Sequence, residues 1–242
     1  TWLKRGATVF FFILIPTLLF NMLRNLEWSE VVQALQGFGA WTLLGAAGIA
    51  LVSYLVFGGY DLVGRWYTGH RLPVRQIVPL TFVCYAFNLN LGAWVGGIAL
   101  RFRLYSRLGL DVATITRIFS ISLIANWVGY MLLAGTVFSL GMMDLPGDWA
   151  IGERGLQFIG FALLATAAAY LLACQFSRRR EWTFREHKIE LPSLKMAVIQ
   201  VALGAINWSL MATLIYLLLP EEAFFPSILG ILLVSSIAGV VI

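Results

Sequence analysis

Apolar residues in this chain fall into long unbroken runs, not into the alternation of strands or the one-sided stripes of soluble helices. Runs of bilayer-crossing length occupy residues 7–23, 41–63, 77–100, 118–140, 155–176 and 196–219, and another opens near Phe224 and is still apolar at Ile242. A helix that is apolar on every side belongs in a large core or in lipid. The pattern predicts an all-α integral membrane protein, a polytopic helical bundle of about six to seven hydrophobic segments. These form a single transmembrane domain over residues 1–242. Because the last run is open at Ile242, the expectation is a chain truncated at its C-terminus, with closing helices beyond. The first run follows Lys4 and Arg5 as a signal peptide would, but lacks a small-residue cleavage site, so it is read as a retained span.

Composition agrees with the pattern. The chain is 60% hydrophobic and only 12% charged, with no stretch polar enough for a separate soluble domain. Its net charge of +5 is a loop property, not a nucleic-acid footprint, and no nucleic acid is expected as a partner. Short basic loops stay in the cytoplasm. Lys4 and Arg5, then Arg65, Arg71 and Arg75, then the Arg- and Lys-rich stretch 177–195 alternate with the acidic connections that hold Glu27 and Glu30, Asp144 and Asp148, and Glu221 and Glu222. That alternation places the N-terminus in the cytoplasm.

One segment breaks the rule, since residues 77–100 are basic on both flanks, with Arg101, Arg103, Arg107 and Arg117 following. A simple crossing would strand four arginines outside. A segment that enters and returns on one face leaves only Arg24 and Arg154 outside, so 77–100 is expected to be re-entrant. Its middle supports this, with Asn88, Asn90, Gly92, Gly96 and Gly97 where a spanning helix favours Leu or Ala. Broken backbone at membrane depth survives only against protein or a wet cavity, and such breaks often line substrate sites. The alternative is a kinked crossing helix whose glycines allow close packing.

The densest candidate chemistry follows the break. Arg101, Arg103 and Arg107, with Tyr105 among them, suit an anionic lipid headgroup: guanidiniums grip phosphate bidentately and the ring suits the headgroup zone. A plain cytoplasmic anchor is the competing reading for each arginine, and Arg101, nearest the break, is favoured for function. Other polar residues within apolar runs are Ser53, Asp61, Ser120, Ser122, Asn126, Gln200 and Asn207. Asn126 and Asn207, each followed by Trp, are candidates for two walls of one polar cavity or for separate interhelical hydrogen bonds. Asp61 is four residues from Arg65, which suggests a local ion pair. Cys84 and Cys174 read as buried thiols, and His70 and His187 lack ligand-spaced partners, so neither metal nor cofactor is expected. No P-loop, GxSxG or HExxH occurs, no catalytic residue is assigned, and the chain is not expected to be an enzyme. The basic, Trp- and Phe-containing stretch 177–195 reads as a membrane-surface segment.

At GGIALRFRLYSRLGL, SYLVFGGYDLVGRWYTGH and ILLVSSIAGVVI the sequence resembles the YbhN-type inner-membrane proteins, of the lysylphosphatidylglycerol synthetase transmembrane, or flippase-like, family. The likeness runs along essentially the whole chain. It implies a multi-pass protein of the bacterial inner membrane, related to the lipid-translocating half of the multiple peptide resistance factors. Those proteins flip aminoacylated phosphatidylglycerol made by a cytoplasmic synthetase domain, which has no counterpart here. The expected function is movement of an anionic phospholipid or headgroup-modified lipid, flippase- or scramblase-like. Without an ATP-binding motif, movement is passive or ion-coupled, and the lack of a mid-membrane carboxylate speaks against protons. The alternatives are a non-transporting partner that binds anionic lipid or another protein through its basic loops, and a membrane enzyme acting on headgroups. A homo-oligomer or a membrane-protein partner fits either of the first two.

Overall fold

The computed structural model describes residues 27–91, 93–143, 152–177, 181–184, 187–219 and 224–241, with a few isolated positions before these. Lys4, Arg5, Gly92, Asp144, Asp148, Glu221, Glu222 and most of the run 7–23 lie outside the described residues. The helices are α1 (Trp28–Gln36), α2 (Ala40–Thr68), α3 (Val74–Leu91), α4 (Arg101–Arg107), α5 (Val112–Ser139), α6 (Glu153–Phe176), α7 (Leu194–Leu217) and α8 (Phe225–Val241). A π-helix, Ala93–Leu100, leads directly into α4. A small antiparallel hairpin of β1 (Glu181–Phe184) and β2 (His187–Glu190) connects α6 to α7.

Among the described residues, α2, α5, α6 and α7 are long and apolar enough to cross a membrane. The shortest of them, with 24 residues, extends roughly 36 Å, more than the ~30 Å hydrocarbon layer. Large apolar side chains point outward along them, including Leu44, Leu51 and Leu55 on α2 and Phe158, Phe161 and Leu172 on α6. In water that surface would aggregate; in lipid it is solvated. The protein is therefore an all-α membrane protein.

Lipid gives no hydrophobic drive for helices to associate, so close backbone approach and interhelical hydrogen bonds must hold the bundle. Helix α5 is central and packs on α2, α6 and α7. Its crossing with α7 is made by Gly129 and Gly204, each of which lies so near the other's backbone that a Cβ would collide with it. Polar caps fix where the long helices start: Asp111 accepts the Thr114 N–H at 3.1 Å before α5, and Ser193 accepts the Met196 N–H at 3.3 Å before α7. Gly69, at φ 68°, closes α2 in the left-handed conformation, its N–H donating to Arg65 O.

The run 77–100 is not one helix. Helix α3 ends at Leu91, and the π-helix folds back along it, so that a Cβ on Gly97 would lie 2.8 Å from Asn88 Oδ1. Residues nine apart on a continuous helix would be separated by roughly 13 Å. Farther along, Tyr105 packs with Leu80 and Cys84, as an antiparallel return requires.

Candidate functional site

The return brings Arg101 against Asp61 of α2, and both side chains are essentially inaccessible, at 2% and 0% exposure. Arg101 Nη2 is 3.2 Å from Asp61 Oδ1. The Tyr105 hydroxyl donates to Asp61 Oδ2 at 2.8 Å, and the Ser122 hydroxyl of α5 lies 3.0 Å from Oδ1. Ser122 Oγ is also 2.9 Å from Ile118 O, so its single hydrogen has two acceptors in reach. The guanidinium carbon stands 5.7 Å from the ring centres of both Phe57 and Phe119, a cation held between two π-faces. Yet among the described residues Arg101 Nε has no hydrogen-bond acceptor, and Nη2 meets Asp61 as an ion pair without hydrogen-bond geometry. A charge pair buried with donors to spare is costly, and in a membrane span it marks a functional site before it marks a stabilising one.

Three features of the sequence build this cluster. Asp61 faces inward because Tyr60, Val63 and Gly64 beside it are buried as well. The π-helix immediately before Arg101 widens the helical turn, a feature that recurs at functional sites. Tyr105 is one turn beyond Arg101 on α4 and reaches the same carboxylate.

The expected local pair between Asp61 and Arg65 does not form. Arg65 Nε donates to Leu72 O at 2.9 Å, pinning the α2–α3 loop, and Asp61 turns to Arg101 instead. The carboxylate is seven residues from the end of α2, roughly 10 Å inside it. An acidic group is thus buried in a span although none stands at its middle. Tyr105 is fully buried, with its hydroxyl bound to Asp61. Arg103 is half-buried and Arg107 exposed, whereas Arg101 is buried against Asp61.

Of the break residues, Asn88 lies against Gly97, while Asn90 is exposed and donates to its own helix at Ala86 O, 2.7 Å away. Gly96 falls within the π-helix, and Gly92 is outside the described residues. Asn207 accepts from Ser53 of α2 at 3.4 Å, an interhelical bond, and Asn126 is half-buried on α5. Neither asparagine lines the cavity of about 200 Å³ between α2, α3, α7 and α8, whose walls include Ser53, Tyr54, Tyr85, Leu89, Met211 and Leu232. That cavity adjoins the ion pair through aromatic rings: Tyr85 stacks on Phe57 at 4.0 Å, and Phe57 faces Arg101.

Outside the spans, His70 sits edge-on to Tyr105, ring centres 6.5 Å apart. Its Nδ1 accepts the Leu72 N–H, and its buried Nε2 has no acceptor among the described residues. Partial burial and the neighbouring Arg65 hold its pKa below the ordinary imidazole value, against a weaker pull upward from Asp61. No group of His, Cys, Asp and Glu able to hold a metal occurs among the described residues.

No protein-family model matches the chain. It is 45% identical over 239 residues, covering 99% of its own length and 75% of the relative's, to the inner membrane protein YbhN of Escherichia coli (strain K12). It is 29% identical over 224 residues, or 90% of the chain and 69% of the relative, to the protein slr0712 of Synechocystis sp..

Proposed function

The chain belongs to the family of the inner membrane protein YbhN, and from that premise we propose that it moves an anionic lipid across the inner membrane, binding the lipid phosphate at Arg101. The observation that carries the reading is the buried guanidinium whose Nε lacks an acceptor among the described residues while Asp61 occupies only part of its donor fork. Nε and Nη2 form one edge of the guanidinium, and that edge matches a pair of phosphate oxygens once Asp61 gives way at Nη2. The apolar cavity beyond Phe57 and Tyr85 has the lining an acyl chain needs, within reach of the same cluster.

In this reading the N-terminus is cytoplasmic and residues 77–100 are re-entrant. The fold-back then holds Arg101 at the inner end of the pathway, and the exposed Arg107 with Arg103 draws lipid from the cytoplasmic leaflet. No enzymatic step is assigned; the protein acts by binding and release.

Reconstitution tests the transport. Proteoliposomes containing a fluorescent phosphatidylglycerol should expose inner-leaflet lipid to an impermeant quencher faster than protein-free vesicles. Arg101→Gln should remove the gain while melting remains cooperative. Unchanged movement in that variant removes Arg101 from the pathway, and no movement by the native chain favours a lipid-binding partner. Topology is read by impermeant thiol labelling of Ser106→Cys and Arg71→Cys, both exposed positions, in right-side-out membranes. Protection of both fits the re-entrant arrangement; labelling of Ser106→Cys alone makes the segment a crossing.

A further inference from the structure

We propose that Asp61 is the proton-binding site of this protein, and that an anionic lipid phosphate enters beside Arg101 together with one proton. The proposal rests on the reading of Arg101 as the phosphate ligand and supplies the energy coupling that reading leaves open.

Charge balance is the first support. Asp61 and Arg101 form a neutral pair with almost no contact with solvent. A lipid phosphodiester brings one negative charge, and leaving it uncompensated in such a pocket carries a heavy desolvation penalty. It also competes with Asp61 for the same guanidinium edge, since Nη2 is 3.2 Å from Asp61 Oδ1. A proton on Asp61 removes both obstacles. The pocket then holds a neutral carboxylic acid, a guanidinium and a phosphate, with the same net charge as before. Arg101 cannot serve as the titrating partner, because a guanidinium does not release its proton in a protein.

The second support is the hydrogen bonding around the carboxylate. With Asp61 ionised, Ser122 donates to Oδ1 and Tyr105 to Oδ2. With a proton on Oδ1, that new O–H points at Ser122 Oγ, which accepts it and turns its own hydrogen to Ile118 O, already 2.9 Å away. Tyr105 keeps donating to Oδ2. Both protonation states are satisfied by rotation of one hydroxyl, with no rearrangement of helices. In the step, a hydronium ion transfers its proton to Oδ1, one O–H bond forms as another breaks, and release of lipid reverses it.

Other ionisable groups face Asp61 from each element around it. Cys84 does so from α3, Arg101 and Tyr105 from α4, and His70 from the α2–α3 loop, while Arg65, four residues along α2, is turned to Leu72 O. From α5 the neighbour is the neutral Ser122. Of these, His70 is the other group able to take up a proton as pH falls, so the test must separate it from Asp61.

The test uses the full chain in detergent micelles and dioctanoyl phosphatidylglycerol as ligand, titrated calorimetrically near neutral pH in two buffers of different ionisation enthalpy. The difference in heat gives the protons taken up per lipid. The native protein should take up about one, and its affinity should weaken by up to about tenfold for each unit of rising pH. Asp61→Asn, which mimics the protonated acid, should bind lipid with no uptake and no such dependence, and His70→Asn should keep both. Lipid binding by the native protein without proton uptake overturns the proposal and leaves the lipid reading intact, whether or not Asp61→Asn folds. Loss of uptake in His70→Asn moves the proton to the loop and equally overturns it. Absence of both lipid binding and lipid movement in the native chain overturns the lipid reading itself.

Discussion

Two fully buried polar residues in this bundle are treated in opposite ways. Gln200 of α7 accepts from the Tyr170 hydroxyl of α6 at 2.6 Å and donates to Ile121 O of α5 at 3.3 Å, so one amide ties three helices and has partners at both ends. Arg101 is nearly as deeply buried, carries a full charge and has at Nε a donor with no acceptor among the described residues. A polar group satisfied inside a membrane bundle is a fastening. A buried charge with donors to spare is costly to maintain, so it points to a function before it points to stability.

The largest effect expected from that contrast is on Asp61. Asp61→Ala strands the Arg101 charge and should destabilise the protein by about 3–5 kcal/mol, measured by denaturant titration in micelles. Asp61→Leu combined with Arg101→Met removes both charges and should restore most of that stability while abolishing lipid movement. A double variant as unstable as the single one would show that the pair holds the fold together by itself. At the fastening, Gln200→Leu leaves Tyr170 and Ile121 O without their partner and should cost about 1–2 kcal/mol, with lipid movement per folded molecule unchanged. Loss of transport there would erase the distinction between the two sites.

The smallest effect concerns His70. Its folded pKa lies below the ordinary 6.5, so the unfolded chain takes up this proton first. Its contribution is therefore constant above that value and is lost as pH falls through it toward the lowered folded pKa. His70→Asn should flatten this part of the stability profile. A profile that instead rises on acidification would mean that Asp61, not Arg65, dominates the field at the ring.

Much of the fold was legible because long apolar runs have few alternatives in a chain this poor in charge. The ends were less so: α2 extends through Asp61 and Arg65 to Thr68, whereas hydropathy alone stops at Val63. Asn88 and Gly97 announced the fold-back, since both favour broken helix, and Arg101 stood out by its closeness to them. Its partner did not. Spacing along one helix offered Arg65 to Asp61, and nothing local says that a residue 40 positions away will arrive on the same carboxylate while Arg65 swings to Leu72 O. The two flanking rings were missed too, although a pattern was available: Phe57 is one turn before Asp61 and Phe119 one turn before Ser122. An aromatic one turn from each inward polar residue is a sign of a cage around a cation. For Asn126 and Asn207 the repeated dipeptide left a shared wall and separate interhelical hydrogen bonds equally open, and Asn207 makes such a bond with Ser53.

The placement of the two native thiols has an experimental consequence. Cys84 lies in the seam with Tyr105, while Cys174 is on α6, away from the fold-back, and both are buried. The unmodified protein thus carries its own reporter and its own reference. A membrane-permeant maleimide that reacts with Cys84 during turnover, but with Cys174 no faster than at rest, would time the parting of α3 from α4 without any engineered label.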